Sequence, residues 1–345
     1  MKRVRIGGQA VIEGVMMKNR DKYAVAVRKP DNDIEIKVSE YRAFGDRYPL
    51  FKLPIIRGVV NFIESLVIGV STLTYSASFF DDEEPEKKTD TGKKNKDAKE
   101  LDVDDKASSG KTENIADKDK KEKKDSDNFW VFLSVAVSVI FAVALFMMLP
   151  AFMVELISKV VSNHVALSLI EGVIRLAIFL GYVAIISLMK DIQRVFMYHG
   201  AEHKSINCLE AGDPLTPENV KKHSRYHKRC GTSFLFVVMI ISIIVFMFIK
   251  AKTMWLRMLL RLLLVPVVAG VSYEFIMLTG KSDSKLAYYL SVPGMWVQRL
   301  TTREPDLEMC EVAIKSVEAV LDWRAYEEAM HKGELEYSSV IFPTR

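Results

Sequence analysis

His199 and His203 stand four residues apart with Glu202 beside them, an H-x-x-E-H order within Tyr198-His-Gly-Ala-Glu-His-Lys204. Residues four apart share one face of a helix, so both imidazoles can reach a single divalent metal ion. Zinc is the usual partner of such a pair, and Glu202 would then sit where it can take a proton from bound water. The same order occurs in the inverted zincins. The chemistry it implies is hydrolysis of a peptide, lipid or other ester-like bond. The competing reading is a polar helix end whose histidines bind nothing, because three fixed positions in five residues also arise by chance.

A metal site needs a third ligand, and the sequence offers His223, His227, Cys230 and Glu274. Glu274 stands in an otherwise apolar stretch, where an ionisable side chain is costly unless it has a partner. Metal ligation would supply one, and snorkelling to the interface is the alternative. In inverted zincins the third ligand is commonly a downstream Glu, and Glu274 follows His203 by 71 residues. The expected ligand set is therefore His199 and His203 with Glu274 or, as second choice, His227, and Glu202 is the expected catalytic base. Other chemistries fail on particular residues. Gly280-Lys-Ser282 and Gly110-Lys-Thr112 lack the upstream glycine of a phosphate loop, and neither G-x-G-x-x-G nor G-x-S-x-G occurs.

The elements around these residues point to a membrane. Overall, 48 Lys+Arg, 44 Asp+Glu and 49% hydrophobic residues describe an ordinary soluble chain, but the charge is unevenly placed. Residues 81–127 hold 17 acidic and 13 basic groups, and the other 298 residues carry a net +8. Residues 129–149 contain no charge and 232–249 supply 18 more uncharged positions, each close to the length that crosses a hydrocarbon core of about 30 Å. Further apolar segments run over 165–189, where Glu171 and Arg175 are spaced to pair, and over 254–280. The segment 53–77 is interrupted by Arg57, Asn61 and Glu64 on one helical face, so it either spans, re-enters or lies at the interface.

The fold class is thus an α-helical polytopic membrane protein: four spans, one interfacial, re-entrant or spanning helix, and a small N-terminal β-containing cytoplasmic region. The expected organisation is a β-containing region over 1–54, a helix over 55–80 and a disordered charged linker over 81–127. A membrane domain over 128–280 with loop 190–231 follows, then a helical tail over 281–345. Within the first region, Tyr23–Arg28 and Ile34–Val38 alternate around a turn and read as a hairpin, while Gly7–Met17 reads as a structured loop. In the tail, one amphipathic helix is expected from about Asp306 to Met330.

Loop 190–231 holds eight Lys and Arg, whereas the loop after the second span has only Lys159, which places 190–231 and the C-terminus in the cytoplasm. Twelve Lys and Arg within residues 1–54 favour the same side for the N-terminal region. No cleaved signal peptide is indicated in the first 30 residues. Three cysteines, Cys208, Cys230 and Cys310, are odd in number and fit a reducing compartment. Membrane lipids are the expected partner, and they explain the basic loop well enough to leave nucleic acid a minor reading.

Gly7-Gly-Gln-Ala-Val-Ile-Glu-Gly-Val-Met-Met17, Tyr198–Lys204, Arg229-Cys-Gly-Thr-Ser-Phe234 and Pro293-Gly-Met-Trp-Val-Gln-Arg-Leu-Thr-Thr-Arg-Glu-Pro305 together resemble the YqhQ-like family of bacterial membrane proteins. The resemblance covers nearly the whole chain outside the linker. It implies the bacterial cell (inner) membrane and the label of a predicted metal-dependent enzyme, in a family of unknown function. Its motif positions fall on Glu13, His199, Glu202, His203, His227, Cys230 and Glu274. Two functions follow as expectations: a metal-dependent hydrolase, or a non-enzymatic membrane factor or scaffold with a membrane-protein partner in insertion or transport.

Overall fold

A computed structural model describes residues 6–43, 48–80, 133–249, 253–282 and 284–332. The charged linker expected over 81–127 lies outside them. The chain divides into two units, one of residues 1–82 with 150–345 and one of residues 83–149. The described part of the second unit is helical, the start of an apolar helix, Leu133–Ile157 (α2), with a π-helical turn at Ala144–Met148.

In the first unit, four strands form an antiparallel meander in the order β1 (Ile6–Val11), β2 (Gly14–Asn19), β3 (Lys22–Arg28) and β4 (Ile34–Glu40). The expected hairpin is β3–β4, with Arg28 opposite Ile34. Gly7–Met17, expected as a loop, is instead the β1–β2 hairpin. Its glycines misled because they serve packing as well as turning. A side chain at Gly14 would begin 2.3 Å from the Ala26 carbonyl oxygen, and one at Gly8 2.8 Å from Glu202 Cγ. The turn itself is made by Glu13, which takes a positive φ of 48° while Arg194 and Tyr198 hold its carboxylate.

Period-two alternation gives the sheet two apolar faces. Ile6, Val15, Met17, Ala24 and Ala26 pack on helices α4 (Lys190–Ala211) and α9 (Leu307–Val320). Val11, Met16, Val25 and Val27 pack on Ile68, Tyr75, Phe79 and Phe80 from α1 (Ile56–Ala77) and the turn after it. The tail expected as one helix is two, α9 and α10 (Trp323–His331). Leu321 leaves helical geometry, and Asp322 restarts the chain by accepting from the Ala325 amide at 3.1 Å.

Ile56–Ala77, Leu133–Ile157, His164–Ile186 and Trp255–Gly280 are four helices long and apolar enough to cross a membrane. The helices α3 (His164–Ile186) and α7 (Met254–Lys281) contain two of them. Between these in sequence lie α4, the short α5 (Pro217–Lys222) and α6 (Gly231–Met247). The α6 helix is apolar throughout but has 17 residues, fewer than the roughly 20 of a full span. Helix α8 (Lys285–Thr301) follows α7.

Glu171 and Arg175 pair at 2.8 Å as their spacing predicts, and Arg261 of α7 joins them by gripping the same carboxylate. Ser242 of α6 accepts from Arg175 at 3.2 Å, and Phe246 lies under both guanidinium groups. One buried knot therefore ties α3, α6 and α7 together, as buried charge demands.

Helix α1 behaves differently from the others. Its start packs against the second half of α7, where Gly58 meets Tyr273 and Gly270, Asn61 bonds Tyr273 at 2.8 Å, and Arg57 pairs with Glu274. Its far end serves the sheet: Ser76 Oγ accepts from the Ile12 amide at 3.1 Å. The inward face carries the polar interruptions Arg57, Asn61 and buried Glu64, while Ile63, Leu66, Val67, Val70 and Leu73 are exposed.

Candidate metal centre

Helix α4 supplies the two imidazoles. It ends where Gly212 takes a left-handed φ of 78° and its amide returns to the Leu209 carbonyl at 3.2 Å. Its Tyr198, Ala201, Ile206, Cys208 and Leu209 are buried in the core with the sheet and α9, and its His199 and His203 meet the chain that leads into α6. Three side chains then converge. One donor atom from each of His199, His203 and Cys230 lies within 4.8 Å of the others. Cys230 is the N-cap of α6 and its Sγ also accepts from the Thr232 amide at 3.4 Å.

Each imidazole is held by its other nitrogen. His199 Nδ1 donates to the Thr301 carbonyl at 2.8 Å, which leaves Nε2 facing Cys230 Sγ at 3.2 Å. His203 Nδ1 donates to the Arg225 carbonyl at 2.7 Å, and its buried Nε2 makes no hydrogen bond among the described residues. Backbone carbonyls that fix the tautomer and angle of a ring are the usual second layer around ligating histidines.

The loop carrying Arg225 is itself tied down. Asn207 donates to the Ser224 and Tyr226 carbonyls at 2.7 and 3.1 Å, Lys204 to those of Lys221 and His223 at 2.9 and 2.6 Å. Gln298 of α8 clamps both backbone groups of His227, accepting from its amide at 2.8 Å and donating to its carbonyl at 2.7 Å.

Glu202 adjoins the pair of imidazoles and the Gly8 backbone. It is 5% exposed, and its Oε2 has no hydrogen-bond partner among the described residues. Burial, offset in part by His199 and His203, holds its carboxyl above the usual carboxylate range. Burial also opposes charge on His199 and Cys230. Their mutual attraction outweighs it, lifting His199 to about 9 and holding the Cys230 thiol well below its ordinary value. Two nitrogens and a sulfur aimed at one point, with a carboxylate alongside, suit zinc by donor type.

The structure brings together His199, His203 and Glu202, and the group that joins the two imidazoles as a candidate third donor is Cys230, while the expected Glu274 and His227 lie in other contacts. Glu274 is engaged by Arg57 and by the Ile55 amide at 3.4 Å. His227 stacks beside His203 with ring centres 5.7 Å apart, and its Nε2 faces Glu210 at 3.9 Å. Burial pushes its pKa down. His223 bonds Asp213 at 2.9 Å. Helix ends decide this: Cys230 caps α6 directly over α4, whereas Glu274 lies seven residues back from Lys281, the end of α7. The signal was present in Arg229-Cys-Gly-Thr-Ser, a polar capping sequence ahead of an apolar run.

The model of a family described as a protein of unknown function, DUF1385, matches residues 53–323. The uncharacterised protein YqhQ of Bacillus subtilis (strain 168) is 35% identical to the chain over 331 residues, covering 94% of this chain and 95% of that protein. No solved structure matches the chain. With a match over most of its length and this relative along nearly all of it, the chain belongs to the DUF1385 family.

Proposed function

We propose that the chain is a multi-pass protein of the bacterial cell membrane that binds zinc or a similar divalent metal at its cytoplasmic face and catalyses hydrolysis there. The observation that carries this reading is the convergence of His199, His203 and Cys230 beside a buried Glu202 whose Oε2 has no hydrogen-bond partner among the described residues. Bound metal in such a site polarises a carbonyl and makes water a better nucleophile at neutral pH. Glu202 receives a proton from the attacking water and returns it to the leaving group. The imidazole anchors at Thr301 and Arg225 keep the two rings from turning as that happens.

Membrane placement is supported by apolar side chains on the outer surface of the long helices, such as Val165, Leu169 and Val173 on α3 and Leu259, Leu262 and Leu263 on α7. The eight basic residues of 190–231 support the cytoplasmic side for the centre. Helix α1 fits the re-entrant or interfacial alternative. Its start meets α7 at Gly270, about 15 Å before Gly280 at 1.5 Å per residue, and its end lies on the sheet that also touches Glu202. The start of α1 then reaches only about the middle of a core of about 30 Å while its end lies on the side of the centre, and Glu274 anchors α1 instead of ligating.

The test is elemental analysis of the purified chain in detergent beside its His199→Ala variant, followed by hydrolysis assays on Glu202→Gln. The expected result is about one metal per chain, lost in His199→Ala and kept in Glu202→Gln, which turns over no substrate. Absence of metal from the wild type refutes the reading. Normal cellular function of Glu202→Gln, with a partner that co-purifies in fixed ratio, supports the scaffold alternative.

A further inference from the structure

We infer that helix α8 lies flat in the membrane surface with one face seated at the boundary of lipid headgroups and acyl chains, an inference that rests on the membrane placement proposed above and not on catalysis. Lys285 to Thr301 holds no acidic residue and presents two unlike faces. Ala287, Gly294, Val297, Gln298 and Thr301 are buried against the protein. Leu286, Tyr289, Pro293 and Trp296, at spacings of three, four and three, form a separate stripe. The stripe is open to the surroundings, Tyr289 being 68% and Trp296 63% exposed. A row of large apolar and aromatic side chains on a surface marks a contact. Lys285 and Arg299 are exposed beside it, and Lys228 Nζ lies 5.6 Å from the centre of the Tyr288 ring. Trp, Tyr and Leu on one face with basic groups alongside characterise a helix that rests in a lipid interface.

The placement of α8 in the bundle selects the same occupant, because both of its ends meet one end of the bundle. At the start, three residues separate Lys285 from Lys281, the last residue of α7, and Gly280 of α7 is pressed on Arg229 just ahead of α6. At the finish, Thr301 Oγ1 is 3.4 Å from Thr232 Oγ1 in the first turn of α6, and Gly294 packs on Ser233. Seventeen helical residues rise about 25 Å, so a helix held at one level at both ends lies across the bundle and does not span. Leu278, near the end of α7, is exposed as well. The apolar outer surface of α7 therefore continues onto the stripe of α8, and the bilayer that α7 crosses reaches both. Headgroup phosphates match the charge of Lys285, Arg299 and Lys228.

The candidate centre shares this placement. Thr301 closes α8, and its carbonyl holds His199 Nδ1 at 2.8 Å. The helix that rests in the lipid surface thus also orients one imidazole, which sets the centre at about headgroup depth.

The test uses the full chain in nanodiscs of phosphatidylcholine and phosphatidylglycerol, with a bimane fluorophore on one introduced cysteine. The positions are Tyr289→Cys on the stripe, Val267→Cys halfway along α7 and Lys315→Cys on α9. Cys208, Cys230 and Cys310 are buried, and wild type labelled in parallel supplies the background to subtract. The quenchers are lipids with a nitroxide at the fifth or the twelfth acyl carbon. With the stripe about 5–10 Å into the boundary, Tyr289→Cys should be quenched about twice as strongly by the shallow nitroxide as by the deep one. Val267→Cys should show the reverse order, and Lys315→Cys should respond to neither. If Tyr289→Cys does not fold, Trp296→Cys takes its place. Quenching at Tyr289→Cys no greater than at Lys315→Cys, or stronger from the deep nitroxide than from the shallow one, overturns the inference. So does protection of Tyr289→Cys from both nitroxides in discs that hold two chains, which would make the stripe a contact between copies. Absence of quenching at Val267→Cys refutes the membrane placement itself, and the inference falls with it.

Discussion

Exchanging the residue that spacing favours for the one the fold delivers separates two versions of the metal centre. Glu274→Gln and Cys230→Ala remove, respectively, the third ligand expected from spacing and the thiol that the fold places beside the two imidazoles. Apparent zinc binding in small structural sites is worth about 10–16 kcal/mol for four ligands, so one ligand accounts for roughly 2.5–4 kcal/mol. At about 1.4 kcal/mol per factor of ten, Cys230→Ala should weaken zinc by ~100- to 1,000-fold. Glu274→Gln should leave zinc affinity unchanged, because its carboxylate is occupied by Arg57 and the Ile55 amide. Its cost falls on stability. The Arg57 side chain is 40% exposed, so solvent screening holds the loss to about 1–2 kcal/mol. The assay is competition for zinc against a chromophoric chelator in detergent, paired with a melting curve for each variant. Loss of zinc in Glu274→Gln with retention in Cys230→Ala would refute the assignment, and would require the end of α7 to reach α4 in a way this fold does not allow.

Three further substitutions probe the supports of the centre. Gly8→Val places a side chain against Glu202 and the Met16 carbonyl, each 2.8 Å from its first carbon; a destabilisation of about 1–3 kcal/mol and loss of hydrolysis with zinc retained are expected from melting and metal analysis. Gln298→Leu frees both backbone groups of His227 and loosens the loop that presents the Arg225 carbonyl to His203. Zinc affinity should fall about 10- to 100-fold, the usual cost of losing an outer partner, read in the same chelator competition. In the buried knot, Glu171→Gln leaves Arg175 and Arg261 without their shared carboxylate and should cost about 3–5 kcal/mol. Arg175→Met keeps the Glu171–Arg261 pair and should cost less, and equal losses in detergent unfolding would contradict the shared-carboxylate arrangement.

The sequence made some of this legible and hid the rest for identifiable reasons. Period-two and period-3.6 patterns reported the β3–β4 hairpin, the apolar helices and the Glu171–Arg175 pair because each depends on neighbours a few residues away. Arg261 was not anticipated as the third member of that pair, since it arrives from a helix 90 residues on. Gly7–Met17 was misread as a loop because glycine signals both turning and close approach, and only the position of Glu202 against Gly8 shows which applies. The H-x-x-E-H spacing pointed to the two imidazoles and the carboxylate that the fold brings together. The third donor depended on which helix end lies over α4, a tertiary fact. Glu274 drew attention for a sound reason, the cost of a lone carboxylate among apolar residues; Arg57, on a helix more than 200 residues earlier, meets that cost.

The supports of the two imidazoles tie the candidate centre to the bundle of apolar helices. His199 is oriented by Thr301, the last residue of α8, and His203 by Arg225, in the loop that runs into α6. Cys230 is the N-cap of α6. Gln298 links these two supports, because it holds the loop at His227 and also donates to Ser233 of α6 at 2.8 Å. Gly294 presses α8 onto that same serine. Helix α4 therefore contributes the motif, but the groups that orient its two imidazoles come from the end of α8 and from the loop that leads into α6. A lobe of sheet, α4 and α9 alone would keep the H-x-x-E-H sequence and lack the third donor and both ring anchors. The centre is consequently a property of the junction between bundle and lobe, where the crowded contacts of Gly280 with Arg229 and of Gly294 with Ser233 hold the start of α6 against α7 and α8.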